Sequence, residues 1–271
     1  MKSHLIRSLF LLALSIMSGS VVAQSMLSLG VGYEQTSGDY GLVNETEITT
    51  IPLDLQYINE AWRLKLTVPF ISVTGDGSVI PGSNGVIGVD LNSFIGGGLG
   101  GSSNTSNVTD TQSGLGDIVS SLSYAFIPKG DEAWFHELSA EVKWGTANAR
   151  KFLGTGENDY SLSFYSLYEK STLKPFVSLG YLFMGDTAIA NYNNVLFASA
   201  GVMYPINENL LLNAVYDYQQ ATLDGMDAGQ MISLYLTKTL NEGWNVSLYL
   251  LNGLSDSVAD TGMGLSVSRS L

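Results

Sequence analysis

The chain has 271 residues, with 12 Lys and Arg against 25 Asp and Glu, and it has no cysteine. The acidic balance excludes a general nucleic-acid binder, which needs a basic face. The lack of cysteine excludes disulfides, thiolate metal sites and cysteine nucleophiles. Only 14% of the residues are charged, against about 25% in soluble domains, so the composition is not that of an ordinary water-soluble protein.

The first 23 residues have the three parts of a secretory signal. Lys2 and Arg7 are basic, residues 9–17 are apolar, and Val21 to Ala23 end at a cleavage site. The apolar run is too short to span a bilayer, which takes about 20 residues. We therefore predict a signal peptide at 1–23, cleaved after Ala23, and a single mature domain at 24–271.

Twelve later segments alternate between apolar and polar side chains. In the third, Trp62 and Leu64 share one face, while Arg63 and Lys65 share the other. A period of two with one apolar face is what a wall between lipid and water requires. The predicted strands are 25–35, 48–58, 62–73, 115–127, 134–145, 159–169, 173–184, 194–205, 209–220, 229–239, 244–253 and 262–271.

The connections between these strands alternate in length, as in outer-membrane barrels with short periplasmic turns and long extracellular loops. The short ones are 58–61, 128–133, 170–172, 206–208 and 240–243, and the long ones are 36–47, 74–114, 146–158, 185–193, 221–228 and 254–261. This pattern places both chain ends in the periplasm. An even number of strands also closes the sheet without free edges.

Aromatic residues of one parity gather at both ends of the predicted strands, which indicates two girdles at the membrane interfaces. A soluble β-sandwich, the alternative, has no reason to sort its rings in this way. The periplasmic group is Tyr57, Trp62, Phe126, Trp134, Tyr168, Tyr204 and Trp244, and the outer group is Tyr33, Phe70, Trp144, Tyr160, Tyr181 and Tyr218. The predicted fold is an all-β, transmembrane, up-and-down antiparallel β-barrel of 12 strands in a bacterial outer membrane.

Charged residues of the opposite parity are candidates for lining the barrel lumen. They are Asp54, Arg63, Lys65, Asp117, Glu137, Glu141, Lys143 and Asp217. Two interpretations stay open: they form a polar constriction that selects solutes, or they pair with one another and fill a narrow interior. The sequence predicts no catalytic residue, cofactor or metal site.

His136 is the one histidine after the signal, so it carries the case for an outer-membrane hydrolase. The strand assignment puts it near the periplasmic end, on the lipid-facing parity beside Trp134 and Phe135. A catalytic triad would need it at a polar, accessible rim. We predict an interfacial role for His136 and no enzymatic activity.

Two features of the long loops bear on passage through the barrel. Loop 74–114 is unusually long and holds apolar residues, which predicts either folding into the mouth or an extracellular hairpin extending its two strands. The apolar residues are Val86, Ile87, Val89, Leu91, Phe94 and Ile95. The loops are also acidic, which favours a cation-attracting vestibule or lipopolysaccharide bridged by divalent ions.

Four stretches resemble a known family: SGLGDIVSSLSYAF (113–126), GTGENDYSLSFYSLYEK (154–170), LKPFVSLGYLFMGD (173–186) and LYLLNGLSDSVADTGMGLSVSRSL (248–271). Their order and spacing resemble outer-membrane proteins associated with the meta-cleavage pathway of phenol degradation. The resemblance covers residue 113 to the end and implies a transporter for hydrophobic or aromatic compounds. The chain ends in Leu271, where the last strand of such barrels usually has an aromatic residue.

The predicted function is a passive outer-membrane channel for small molecules, hydrophobic or aromatic ones among them. The alternatives are a structural or surface-interaction barrel with a plugged lumen and an outer-membrane hydrolase. The predicted partners are outer-membrane lipid, lipopolysaccharide, the barrel-assembly machinery and an unidentified small solute, with no nucleic acid.

Overall fold

The computed structural model describes residues 25–77, 79–82, 85–88, 110–128, 130, 132–187 and 190–271. The predicted signal peptide lies outside these residues. The fold is a single antiparallel sheet closed into a barrel, plus one separate two-stranded hairpin. None of the helices among the described residues is long and apolar enough to span a membrane.

Fifteen strands make up the two sheets. They are β1 (Met26–Gly38), β2 (Thr46–Asn59), β3 (Trp62–Gly75), β4 (Val79–Gly82), β5 (Gly85–Gly88), β6 (Asp110–Leu115), β7 (Ile118–Phe126), β8 (Trp134–Trp144), β9 (Asp159–Tyr168), β10 (Lys174–Phe183), β11 (Val195–Asn207), β12 (Leu210–Gln219), β13 (Gly229–Thr239), β14 (Trp244–Gly253) and β15 (Thr261–Ser270). Two short 3₁₀ helices, η1 (Ala149–Lys151) and η2 (Asn241–Gly243), lie in connections.

The barrel has twelve strand positions because β6 and β7 share one of them. Both pair with β3: β6 lies along its second half and β7 along its first half. Pairing of β1 with β15 and with β2 closes the ring. The predicted fold class is therefore confirmed, and eleven of the twelve predicted strands agree with the structure to within three residues at each end.

One predicted element needs correction, the long loop 74–114. Its two ends are strand, since Thr74 pairs with Thr111 and Gly75 with Asp110 across β3 and β6. The predicted fourth strand, 115–127, is interrupted at Gly116 and Asp117. Within the loop, β4 and β5 form the separate hairpin. Part of the hairpin alternative is thus correct, while Val89, Leu91, Phe94 and Ile95 lie outside the described residues.

The outer face of the barrel is apolar and exposed, as the alternation predicts. Leu64 on β3 is 52% exposed and Leu179 on β10 is 59% exposed, whereas their inward neighbours are buried. Trp62 at the start of β3 and Phe70, eight residues further along it, are both about half exposed on this face. Such a belt is stable in lipid but would be an aggregation surface in water.

We predict that Leu179→Arg destabilises the barrel by about 2–4 kcal/mol, the cost of a basic side chain at the bilayer midplane. The measurement is a denaturant titration of the protein refolded in lipid vesicles. Val43→Arg is the matched control, because Val43 is 98% exposed in a loop. Equal effects of the two substitutions would contradict a lipid-facing position for Leu179.

Candidate functional site

The candidate site is the interior of the barrel and its long-loop end. Most inward-facing side chains are less than a tenth exposed, for example Lys65 at 4% and Phe176 at 3%, and the others are half-buried. The interior is therefore shielded from bulk water in this conformation. Its wall has two unlike parts, one charged and one apolar.

The charged wall consists of Asp54, Arg63, Lys65, Glu137 and Glu141 on β2, β3 and β8. Arg63 Nη1 donates to Glu137 Oε2 at 2.8 Å, and Lys65 Nζ lies 3.5 Å from Asp54 Oδ1. Asp54 also accepts a hydrogen bond from Thr67, at 2.6 Å. Glu141 is half-buried, with Ser121 and Ser161 opposite it in the register.

These contacts bear on the two interpretations of the charged residues. Arg63, Lys65, Asp54 and Glu137 are paired in this conformation, as the filling interpretation expects. A paired charge in a narrow interior can still select solutes, because it presents a fixed local field. Whether this wall selects solutes stays a prediction.

A loop-anchoring cluster lies at the long-loop end: Lys143, Asp117, Asp159 and Thr155. Lys143 Nζ lies 2.8 Å from Asp159 Oδ2 and 3.3 Å from Asp117 Oδ2, and it donates to Thr155 Oγ1 at 2.7 Å. All four residues are buried. Burying an ammonium and two carboxylates is tolerable only when they satisfy one another in this way.

Each carboxylate of this cluster also holds a loop. Asp117 Oδ1 accepts from the Ala147 amide at 2.8 Å, and Asp159 Oδ1 accepts from the Gly185 amide at 2.9 Å. Two long loops, 145–158 and 184–194, are thereby tied to the barrel rim. The inward positions of Asp117 and Lys143 were predicted from the sequence, whereas that of Asp159 was not. Asp159 begins its strand two residues before Ser161 and so shares its inward parity.

The loops contribute a mouth cluster of buried apolar side chains. Its members, Tyr40, Val79, Ala147, Leu153 and Ala259, come from four different loops and are at most 8% exposed. They belong to one hydrophobic cluster that also includes strand residues of the interior. In this conformation the long-loop end is therefore covered by apolar loop residues that pack inward, and the loop-anchoring cluster holds one of the four loops, 145–158, through the Ala147 amide.

The apolar wall runs from β8 to β14 and was not predicted. It comprises Phe135, Tyr165, Leu167, Phe176, Phe197, Met203, Leu211, Val215, Met231, Tyr235, Tyr249 and Leu251. Its rings are in contact, with centroids 6.4 Å apart for Phe135 and Tyr165 and 5.6 Å apart for Tyr165 and Phe176. The sequence did contain a signal for this wall. Leu211 and Val215 are apolar residues of the inward parity on β12, a strand whose outward residues are apolar as well.

Three rings of this wall lie across glycines of neighbouring strands. A Cβ atom added to Gly180 would lie 2.2 Å from the Phe197 ring, and one added to Gly264 would lie 2.2 Å from the Tyr249 ring. At Gly201 the distance to the Phe176 ring would be 2.5 Å. These rings therefore lie along the wall, where any other residue would push them toward the barrel axis.

The remaining candidates lie apart from these groups. Asp217, on β12, accepts a hydrogen bond from Ser199 at 2.5 Å and is 7% exposed. His136 is on the outer face, as predicted, where its ring stacks on Phe164 at 5.4 Å and lies parallel to Trp134 at 6.4 Å. Among the described residues, no three His, Asp or Glu side chains are grouped to hold a metal ion.

Comparison with known proteins supports the fold. A solved structure described as the COG4313 outer membrane channel from Pseudomonas putida F1 matches with a TM-score of 0.66 and 12% identity, over 94% of this chain and 99% of that one. The KdgM porin matches with a TM-score of 0.51 and 11% identity, over 90% and 99%. The NanC porin matches with the same score and identity, over 90% and 100%. At such identities the likeness shows the fold alone.

Sequence comparison is less informative. Residues 102–229, somewhat under half of the chain, match a family model described as a protein of unknown function, DUF3187. No curated protein matches the chain. The resemblance to proteins of the meta-cleavage pathway thus stays a prediction.

We predict that Lys143→Met releases the loops at the mouth. Removing the ammonium leaves two buried carboxylates without their cation, which costs about 3 kcal/mol, so amides of the two loops should exchange hydrogen roughly a hundredfold faster. The measurement is hydrogen exchange of peptides from 145–158 and 184–194. Lys151→Met, an exposed lysine of the same loop, is the control and should leave exchange unchanged. Unchanged exchange in both variants would show that the cluster does not hold the loops.

A second prediction concerns the pH dependence of the mouth cluster. Burial raises the pKa of the Tyr40 hydroxyl from 10.0 to about 12, so folding favours its neutral form. This contribution to stability is fully present below pH 10 and is lost as the pH rises through about 12. Titration of tyrosinate absorbance should show a late step that Tyr40→Phe removes. A Tyr40→Phe titration identical to that of the wild type would contradict the assignment.

Proposed function

We propose that the protein is a passive channel of the bacterial outer membrane for small molecules, hydrophobic or aromatic ones among them. The observation that carries the proposal is the set of three rings laid across Gly180, Gly201 and Gly264. A barrel filled only for stability would gain from side chains that point to its axis, whereas these glycines keep ring bulk against the wall. The descriptions of the similar structures as channels and porins support the same function.

An interior with an apolar wall facing a charged wall suits solutes with an apolar body. The apolar wall offers rings and aliphatic side chains for contact, and the charged wall keeps the remaining space polar. Because the interior is shielded from water in this conformation, passage requires the mouth cluster to move. The loop-anchoring cluster is then the part of the molecule that sets how often the mouth opens.

The alternative is a structural barrel with a plugged lumen, which the burial of the interior favours. Conductance of the refolded mature protein in a planar bilayer distinguishes the two functions. The channel should give discrete current steps, more frequent in Lys143→Met than in Lys151→Met. A folded protein that gives no steps in either variant would contradict the channel and favour the structural barrel.

We further expect the channel to prefer cations, because acidic groups outnumber basic ones among the described inward residues. The acidic group is Glu34, Asp54, Asp117, Glu137, Glu141, Asp159 and Asp217, and the basic group is Arg63, Lys65, Lys143 and Lys174. A net negative interior raises the local cation concentration. The reversal potential in a KCl gradient measures the preference, which Glu141→Gln should reduce and Glu47→Gln, exposed on the outer face, should not. A preference for chloride would contradict this charge balance.

A further inference from the structure

Lys, Arg, Asp and Glu side chains are rare on the outward face of the barrel. In the barrel strands that the structure describes, the outward positions carry Glu47 at the long-loop end and two basic residues, Lys238 and Arg269, at the short-turn end. The other basic residues of these strands lie on the inward face: Arg63, Lys65, Lys143 and Lys174. The two outward basic residues are therefore exceptions on a face that otherwise suits lipid.

Lys238 and Arg269 lie near each other. Each is the next-to-last residue of its strand, β13 or β15, and β14 lies between these strands. In the register Lys238 faces Val246 and Arg269 faces Trp244, two residues apart on β14. Neighbouring strands lie about 4.8 Å apart, so a small group lying over β14 is within reach of both long side chains.

Both basic groups are available to a ligand. Lys238 and Arg269 are exposed, and neither side chain forms a hydrogen bond or salt bridge within the part of the chain that the structure describes. The Arg269 guanidinium carbon lies 5.3 Å from the centroid of the Trp244 ring, a contact that orients the group and leaves N–H donors for an anion. The inward Arg63 and Lys143, in contrast, each lie 2.8 Å from a carboxylate oxygen.

The surface beside the two basic residues is recessed. Val246 and Val267 face each other on β14 and β15 and are half-buried. The next outward pair, Leu248 and Leu265, is 52% and 44% exposed. The shorter valines therefore lie below the level of the side chains around them, and the leucines continue the apolar face toward the middle of the strands.

The position of this basic pair indicates what it binds. Two like charges this close together repel each other, most strongly where water is scarce, and an anion between them removes that repulsion. The anions at the edge of a membrane's apolar region are the phosphates of lipid head groups. The short-turn end is predicted to face the periplasm, where the leaflet of an outer membrane consists of phospholipid, so a phospholipid fits better than lipopolysaccharide.

We propose that Lys238 and Arg269 bind the phosphate group of one anionic phospholipid, of the phosphatidylglycerol type. The Arg269 guanidinium and the Lys238 ammonium donate hydrogen bonds to the phosphate oxygens. The head group lies over the valines, and the acyl chains follow Leu248 and Leu265. A zwitterionic phospholipid binds more weakly, because the two basic side chains repel its own cationic group. The inference goes beyond the proposed channel, since it assigns a lipid site on the outer surface.

The test is quenching of tryptophan fluorescence by brominated lipids, with the mature protein refolded in vesicles of phosphatidylglycerol and phosphatidylcholine in equal amounts. Trp62→Phe, Trp134→Phe and Trp144→Phe together leave Trp244 as the only tryptophan. Comparing vesicles in which one or the other lipid is brominated should show a preference for phosphatidylglycerol at Trp244 of about twentyfold. Lys238→Gln and Arg269→Gln should each reduce this preference about fivefold.

Two controls separate the site from general attraction to anionic lipid. Lys151→Gln removes the same charge from an exposed residue of a long loop and should leave the preference at Trp244 unchanged. A second reporter variant keeps Trp62 as its only tryptophan. The described outward positions of β2, β3 and β7 carry no basic residue, so Trp62 should be quenched nearly equally by the two lipids.

Each result decides the proposal. A preference at Trp244 that both substitutions reduce and Lys151→Gln keeps supports the site. Equal quenching by the two lipids at Trp244, or the same preference at Trp62, overturns it. Lipid A that displaces phosphatidylglycerol from Trp244 would assign the site to lipopolysaccharide and overturn the choice of lipid. If the reporter variants do not fold, native mass spectrometry of the wild type, Arg269→Gln and Lys151→Gln in detergent with both phospholipids makes the same comparison through the amount of phosphatidylglycerol retained.

Discussion

The structure depends on one constraint, that backbone N–H and C=O groups in a bilayer must find their partners within the protein. Closure of the sheet meets it, because the first strand, β1, pairs with both the last strand, β15, and with β2. Closure also fixes the two faces. Alternate residues must point to lipid or to the interior, so the apolar belt, the charged wall and the apolar wall all follow from one backbone arrangement.

Inside the barrel, the lack of bulk water governs the charges. A buried charge is stable only beside an opposite one, which explains why Arg63 lies against Glu137 and why Lys143 serves two carboxylates at once. Asp117 and Asp159 also accept hydrogen bonds from loop amides. The ion pairs of the interior and the positions of the loops are therefore coupled. The mouth cannot rearrange without changing the surroundings of a buried ammonium group.

Period-two alternation made the strands and their faces predictable from the sequence, and the inward positions of Arg63, Lys65 and Glu137 followed from parity alone. The alternation could not show which charged residues form ion pairs with one another, because contacts between neighbouring strands depend on the register. Asp159 was overlooked since it begins its strand. The apolar wall was overlooked because Phe176 and Tyr235 look like ordinary barrel residues until neighbouring strands bring them together. The interruption at Gly116 and Asp117 accompanies the pairing of β3 with both β6 and β7. The local alternation of apolar and polar residues does not indicate this pairing.

The segregation of the two walls by strand order has a consequence for how such a barrel can change. The charged wall lies on β2, β3 and β8, while the apolar wall is carried chiefly by consecutive hairpins from β9 to β14. A short turn joins the two strands of each hairpin, and the hairpins follow one another along the chain. One wall can therefore be exchanged as a contiguous piece of chain while the other keeps its register. A barrel built this way can acquire a new lining by recombination of hairpins, without redesigning the interior residue by residue.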